Sequence, residues 1–219
     1  MTASSGELEA HKFSSPPRPL PRPAANEYYH LGMDAQVARI YFRAGRHPTT
    51  WNQFRYFGPT SARFDHHLPD SQGAPRISQR GIIYGAEILL TCCAEVFQLS
   101  RMIDRAGGAP WLVIFSPARP LRLLNVAGFW ATRAKTSTLL NNGPKGLCRA
   151  WAQEIYRSFP HLDGIAYASS MAGHAPAFAL FERAGDALPM HPLFNQSLDH
   201  PGLEAPLYNV AYRIGYNVI

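Results

Sequence analysis

The sequence predicts a single α+β domain in which mixed sheets carry flanking helices. Three observations lead there. Short apolar, β-rich runs are scattered along the chain, two segments show helical spacing, and no regular strand–helix alternation links them, which disfavours a doubly wound sheet. The length of 219 residues suits one domain that buries its core without disulfides or metals. A composition of 46% hydrophobic and 16% charged residues is that of a folded protein.

The first 26 residues depart from that composition. Ser4, Ser5, Ser14 and Ser15 are followed by Pro16, Pro17, Pro19, Pro21 and Pro23, with few large apolar side chains to offset the entropy of ordering. Residues 1–26 therefore read as a disordered or polyproline-like arm, and 27–219 as the folded domain. Arg39-Ile40-Tyr41-Phe42-Arg43 alternates as a strand with Arg43 at its end. The aromatic and basic stretch Thr49 to Phe64 shows no regular period. His66 to Arg80 carries Pro69, Asp70, Ser71, Gly73 and Pro75 and reads as a surface loop. His66 and His67 are adjacent, which puts them on opposite faces of any strand, and no nearby ligand completes a metal set, so no metal is expected.

Ile82-Ile83-Tyr84 reads as a short strand leading into a helix from Ala86 to about Ile103. Leu89, Leu90, Cys93, Val96 and Phe97 would form its buried stripe, with Glu95 on the same helix. Trp111 to Phe115 is a buried strand stopped by Pro117, and Leu121 to Val126 a further one. Leu147, Trp151, Ile155 and Phe159, spaced by four, mark a helix from Gly146 to Phe159 ahead of Pro160. Gly164 to Ser169 and Ala177 to Phe181 form a hairpin that presents Ser169 and Ser170 at one end. Tyr208 to Ile219, aromatic and β-branched, is expected to close the sheet or cover an edge.

The formal net charge is +6, and only Lys12, Lys135 and Lys145 among the 21 basic residues are lysines. Arginine grips phosphate through a planar fork, so the bias suits a phosphorylated ligand or nucleic acid. The arginines are nevertheless spread from Arg18 to Arg213, without the clustered stripe of a duplex-binding face. Cys92, Cys93 and Cys148 are too few for a disulfide framework and read as reduced, buried thiols. No run of roughly 18 apolar residues appears, so no membrane contact and a cytoplasmic location are expected.

No phosphate-binding loop ending in Gly-Lys-Ser/Thr and no glycine-rich dinucleotide turn is present. Any nucleotide must be held by side chains, and the polar candidates at element ends are Arg43, Arg63, Tyr84, Glu95 and Ser169. In their order and surroundings these residues resemble the RES family, whose members are typically toxins of bacterial toxin–antitoxin pairs. The resemblance runs from about Arg39 to the C-terminus. It rests on Ile40-Tyr41-Phe42-Arg43, Arg63-Phe64, Tyr84, Ala94-Glu95, Asp163 to Ser169 and Ala179-Leu180-Phe181.

The resemblance implies a mono-ADP-ribosyltransferase-like fold and cleavage of the nicotinamide–ribose bond of NAD, by hydrolysis or phosphorolysis. The alternatives are transfer of ADP-ribose to a protein acceptor and, in a different class, a non-catalytic arginine-rich module for nucleic acid or an acidic partner. Arg43 and Arg63 would hold the pyrophosphate. Glu95 would stabilise the oxocarbenium character at the ribose carbon, as a carboxylate does in glycoside hydrolysis. Tyr84 would stack on nicotinamide or ribose, and Ser169, or Ser170 if the register differs by one, would position the substrate by a hydrogen bond. A helix-turn-helix antitoxin is the implied protein partner, with nucleic acid reached only through it. Ser61-Ala62 and Asp65 depart from the glycine and Asn common in the family at those places, and the spacer from His66 to Arg80 is longer than in its compact members.

Overall fold

The structure, a computed structural model, describes residues 14–219. Among these residues the chain forms eleven strands, β1 (Tyr28–Leu31), β2 (Val37–Phe42), β3 (Arg55–Gly58), β4 (Arg76–Ala86), β5 (Met102–Ile103), β6 (Pro110–Phe115), β7 (Leu121–Asn125), β8 (Gly164–Ala168), β9 (Pro176–Phe181), β10 (Phe194–Ser197) and β11 (Asn217–Val218). Four α-helices accompany them, α1 (Leu89–Val96), α2 (Trp130–Arg133), α3 (Lys145–Ser158) and α4 (Glu204–Ile214). Nine strands make one sheet in the order β1-β7-β8-β9-β4-β2-β6-β10, with β3 added beside β4, while β11 and β5 form a separate pair. Only β7 and β8 run parallel in the large sheet. The fold is α+β with a mixed sheet, as the sequence predicts.

The sheet buries both faces, and strand alternation sorts its side chains into two cores. On β9, Ala177, Ala179 and Phe181 join the core beneath the helices, whereas Phe178 and Leu180 join the other. The helix-side core takes in Cys92 and Cys93 of α1, Trp130 of α2, Trp151 and Ile155 of α3, and Leu207 of α4. The opposite core joins Val37, Tyr41, Val113 and Phe115 to Phe178 and Leu180, and is covered by Trp51, Phe54 and the 3-10 turn Glu182–Ala187. Burying each such large side chain is worth about 1.5–3 kcal/mol, so no disulfide is required, and all three cysteines are free and buried.

The expected arm falls in two parts. Residues 1–13 lie outside the described residues. Residues 14–26 pack along the domain: the Trp151 indole donates to the Ser14 carbonyl (2.8 Å), Trp130 to that of Pro21 (3.0 Å), Arg18 pairs with Glu154 (3.0 Å), and Leu20 is buried. A proline-rich segment loses little entropy on docking, and two tryptophan N–H groups that need acceptors supply the anchor points.

One feature of the sheet creates the site. Strand β4 pairs with β9 through five consecutive residues, Ile82 to Ala86, but meets β2 only where Ala86 faces Ala38. The two strands splay apart from that point and leave a cleft between them. Gly85 stands at the crossing, where a Cβ would lie 2.8 Å from Val37 Cγ1 and 3.1 Å from the Ala38 carbonyl oxygen, so a side chain there would push the strands apart.

Several sequence expectations are corrected. The helix carrying Glu95 is α1, which spans only Leu89–Val96; it does not reach Ile103, because the chain turns through Arg101 at φ 55° into β5. Its buried residues are Thr91, Cys92, Cys93, Ala94 and Phe97, while Val96 is exposed and Leu89 and Leu90 are half-buried. The segment from Tyr208 to Ile219 does not join the large sheet: most of it is α4, ended by Gly215 in the left-handed conformation, and only Asn217–Val218 is strand. Tyr208 and Tyr212 are exposed on that helix, so their aromatic character had suggested β-structure without serving it.

The surface loop expected from His66 to Arg80 is corrected at both ends: Arg76 to Arg80 belong to β4, and His66 and His67 are fully buried, as is Asp65 before them. Asp65 accepts from Arg55 (2.9 Å), from the backbone and hydroxyl of Thr60 (2.6 and 2.8 Å), and pairs with His67 Nδ1. Burial alone would raise its pKa, but the His67 hydrogen bond, the Arg55 charge and the Thr60 donors together hold it well below the usual carboxylate range. His66 stacks between Tyr156 and Phe181, at ring-centroid distances of 4.4 and 4.5 Å, with Glu182 3.5 Å away. Burial pushes its pKa down to about 4 despite the opposing pull of Glu182. Among the described residues no group of three or more His, Cys, Asp or Glu side chains stands where it could hold a metal, and no helix is long and apolar enough to cross a membrane.

A depressed histidine pKa sets a pH window. Between about 6.5 and 4 the unfolded chain binds a proton at His66 that the native chain does not, so stability falls as pH falls through this range. Asp65 and Glu182, also depressed, add their loss only below about pH 4.5. Urea unfolding at pH 7 and pH 4.5 is expected to show a decrease to which His66 contributes on the order of 2 kcal/mol, and His66→Phe, which keeps the ring stacking, is expected to flatten that dependence.

Candidate active site

Glu95 and Ser169 reach one another from opposite sides of the helix-side core. Ser169 follows the last residue of β8 and is fully buried; its hydroxyl donates to Glu95 Oε1 at 2.5 Å. The loop beyond it is closed by Ser169 N–H donating to the Ala175 carbonyl and His174 N–H to that of Ser169, and Met171 N–H donates to the Ser169 hydroxyl oxygen. One residue earlier, Ala168 N–H donates to the side chain of buried Asn141 (3.0 Å), which pins the strand end. Ser169 therefore holds one rotamer, and its proton goes to Glu95.

Glu95 is the penultimate residue of α1. The helix is tied to the cleft wall by Cys92, whose thiol donates to the Ala38 carbonyl of β2 at 3.0 Å, and its last turn is tied to the C-terminal segment by Tyr216, whose hydroxyl donates to the Ala94 carbonyl. Thr91 lies one turn before Glu95 on the same face. One Glu95 oxygen is occupied by Ser169, and the carboxylate is half-buried at the cleft.

Three adjoining cavities of about 240, 60 and 440 Å³ make up the cleft, and Tyr84 of β4 lines all three. The 240 Å³ cavity holds Arg63, Tyr84, Glu95, Lys145, Tyr167 and Ser170 on its wall. Glu95 and Tyr167 carry over into the 60 Å³ cavity, where Arg39 and Thr91 join them. Together they fall in the size class of small-molecule sites, roughly 300–1,000 Å³. Among the described residues, the Tyr84 hydroxyl and the Thr91 hydroxyl are buried without a hydrogen-bond partner, although the Phe64 backbone lies near the former. Burial and the nearby Asp65 carboxylate hold the Tyr84 phenol well above its usual pKa, so it stays protonated as a donor. Buried polar groups without partners mark places where a ligand's own polar atoms fit.

Arg63 is half-buried in the cleft wall. Its Nη1 donates to the Gly143 carbonyl (2.5 Å) and approaches Cys148 Sγ (3.5 Å), which fixes the guanidinium against the turn before α3 and leaves further N–H groups for a ligand. Arg43 is placed differently. It is exposed just beyond β2, stacked over Trp111 at 4.4 Å, and lines none of the three cavities. The arginine that β2 brings to the cleft is Arg39, whose Nη1 donates to the Trp51 carbonyl (2.8 Å); burial lowers its pKa to about 10, and it stays charged at neutral pH.

The structure thus brings Arg63, Tyr84 and Glu95 to one cavity, with Ser169 buried behind Glu95 and joined to it by its hydrogen bond, while Ser170 lines the cavity and Arg43 lies outside. Sequence reasoning missed Arg39, Thr91, Asn141, Lys145 and Tyr167. Thr91 four residues before Glu95, and Tyr167 two before Ser169, carry the helical and strand periods that would have found them. Arg39 and Arg43 share a face by alternation, and only the tertiary path of residues 49–54 over the strand distinguishes them.

A crystal structure of the M. tuberculosis MbcT–MbcA toxin–antitoxin complex contains a chain that matches with a TM-score of 0.48 and 16% identity, over 80% of this chain and 89% of that one. No curated protein shows significant similarity in sequence. The family model described as the RES domain matches residues 36–200, from the strand that walls the cleft to the 3-10 turn ahead of α4, and so includes every residue of the site named above. The chain belongs to the RES domain family.

Proposed function

We propose that this chain binds NAD in the cleft between β2 and β4 and cleaves its nicotinamide–ribose bond. The observation that carries the reading is the hydrogen bond at 2.5 Å from buried Ser169 to Glu95, whose carboxylate lines a cavity shared with Arg63 and Tyr84. Ser169 orients the carboxylate and leaves one oxygen directed at substrate. That oxygen accepts a ribose hydroxyl or faces the anomeric carbon. As the carbon–nitrogen bond breaks, its electron pair goes to the pyridinium nitrogen and nicotinamide leaves neutral, so no general acid is needed. The positive charge that develops on the ribose is stabilised by the Glu95 carboxylate, most effectively where water is excluded. Water then bonds to the same carbon and releases a proton to solvent, or a phosphate oxygen bonds to it in its place.

Arg63, with Lys145 beside it, supplies positive charge for the pyrophosphate, and Arg39 extends that charge along β2. Tyr84 and Tyr167 offer ring faces and edges to the nicotinamide and ribose. Arg43, held over Trp111 outside the cleft, is given no contact with the substrate. As a RES domain, the chain is proposed to act in the cytoplasm as the toxin of a toxin–antitoxin pair, with a helix-turn-helix antitoxin as its partner.

Incubation of the purified protein with NAD, with and without phosphate, is expected to release nicotinamide. Glu95→Gln keeps the shape but removes the charge, and is expected to lower release at least a hundredfold with unfolding unchanged. Ser169→Ala frees the carboxylate from its donor and is expected to lower kcat about tenfold or more, with little change in KM. Arg63→Ala is expected to act mainly on KM, raising it roughly tenfold or more through loss of a charge-assisted contact to phosphate. Undiminished turnover in Glu95→Gln would remove Glu95 from the reaction, and label from NAD that stays on protein would assign the chain to ADP-ribose transfer.

A further inference from the structure

The end of β8 away from Ser169 opens on a second, unrelated feature. Asp163 and Ser169 bracket this five-residue strand, which puts the two ends roughly 20 Å apart. Around the Asp163 end lie two concavities of about 450 and 630 Å³ that adjoin at His161, which lines both. Neither shares a residue with the three cavities of the cleft.

The charge in this groove is unbalanced. Its acidic residue, Asp163, is already bound: it accepts from Arg119 (2.8 and 3.1 Å) and from the Arg122 backbone (2.8 Å). Glu154, beneath Arg157, is shared by Arg157 and Arg18. Arg22 and Arg122 remain as charges, with the His30 and His161 rings beside them, and among the described residues neither arginine has an ion-pair partner. His30 faces Arg122 across the β1–β7 pair, so an imidazole that can donate a hydrogen bond stands beside the guanidinium. Burial first, and then the Arg122 and Arg183 charges, push the pKa of His161 down, so it faces the groove as a neutral ring.

Rings are interleaved with these charges. The Tyr28 ring has Arg122 over it at 5.6 Å and His161 edge-on at 6.1 Å, and it lines the larger concavity with Phe159. Arginine forks suit phosphate oxygens, and rings suit base faces. A groove of this extent exceeds a single phosphate or mononucleotide, and its concave form offers no projecting helix or ribbon to enter a duplex groove.

We infer that the groove formed by Arg22, Tyr28, His30, Arg122 and His161 binds single-stranded nucleic acid through its phosphates, at a site separate from the NAD cleft. The occupant is a flexible strand whose phosphates lie against Arg22 and Arg122 and whose bases meet the Tyr28 and His161 rings. Binding is sequence-tolerant, since no base-edge reader stands in the groove, and it weakens with salt as counterions are released.

Fluorescence anisotropy of the full chain with a labelled twelve-residue oligouridylate at 50 mM salt tests this. Saturable binding in roughly the micromolar range is expected, with an affinity that falls on a log–log salt plot. Arg122→Glu and Arg22→Glu are each expected to weaken binding at least about fivefold, and the double variant to lower the salt slope by about two, while nicotinamide release and unfolding stay as in the parent. Should charge reversal at Arg122 disturb folding, Arg122→Gln with Arg22→Gln provides the same test at smaller amplitude. Absence of binding, binding indifferent to these substitutions, or equal affinity for polyglutamate of the same length would each overturn the inference, the last assigning the groove to an acidic protein segment.

Discussion

Backbone pairing that stops is what makes the site. Over most of the sheet each strand's N–H and C=O groups are met by a neighbour, as buried backbone requires. Between β2 and β4 that continuity is reduced to the single Ala38–Ala86 pair at the end of β4, and the strands diverge from it. The opened edge is held by side chains: Cys92 of α1 donates to the Ala38 carbonyl, and Arg39 spans to the Trp51 carbonyl. Polar groups and cavity volume thus come together at a place where a closed sheet would have had neither.

Everything proposed to touch substrate is fixed from that gap. Helix α1 is locked to β2 through Cys92, which places Glu95 over the cleft, and β8 delivers Ser169 to the same point from the far side. Arg63 is held by the turn before α3, and the segment that carries it is fastened two residues later by Asp65, buried with its ring of donors. Asp65 stands where Asn is common in the family; its carboxylate also lies near the Tyr84 phenol and helps to keep it protonated. The charge therefore acts both in fastening the loop and in setting the state of a cleft residue.

Much of this was legible in the sequence. Alternation located β2, short apolar runs located β6 to β9 and the Ser169 hairpin, and spacing by four located α3, because these elements bury one or both faces and their patterns record it. The order of Arg43, Arg63, Tyr84, Glu95 and Ser169 pointed to the family; of these the structure brings Arg63, Tyr84 and Glu95 to one cavity, with Ser169 bonded to Glu95 behind it. Arg43 was not distinguishable from Arg39, since both occupy the same face of one strand and only the loop through Trp51 and Gln53 selects between them. The buried trio Asp65-His66-His67 resembled solvated loop because its partners Arg55, Glu182 and Tyr156 are distant or unpatterned. The length of α1 and the helical state of α4 were misread for a related reason: a left-handed Arg101 carries no sequence mark, and the exposed tyrosines of α4 imitate a strand.

The central claim is spatial: NAD occupies the gap between β2 and β4. Hydrogen–deuterium exchange with and without carba-NAD, whose ribose oxygen is replaced by carbon so that the bond to nicotinamide survives, measures that most directly. The account predicts slowed exchange in Ile82 to Phe97, around Arg63 and across Tyr167 to Ser170, with Tyr28 to Leu31 unchanged. Protection confined to other surfaces, or none at saturating ligand, would contradict it.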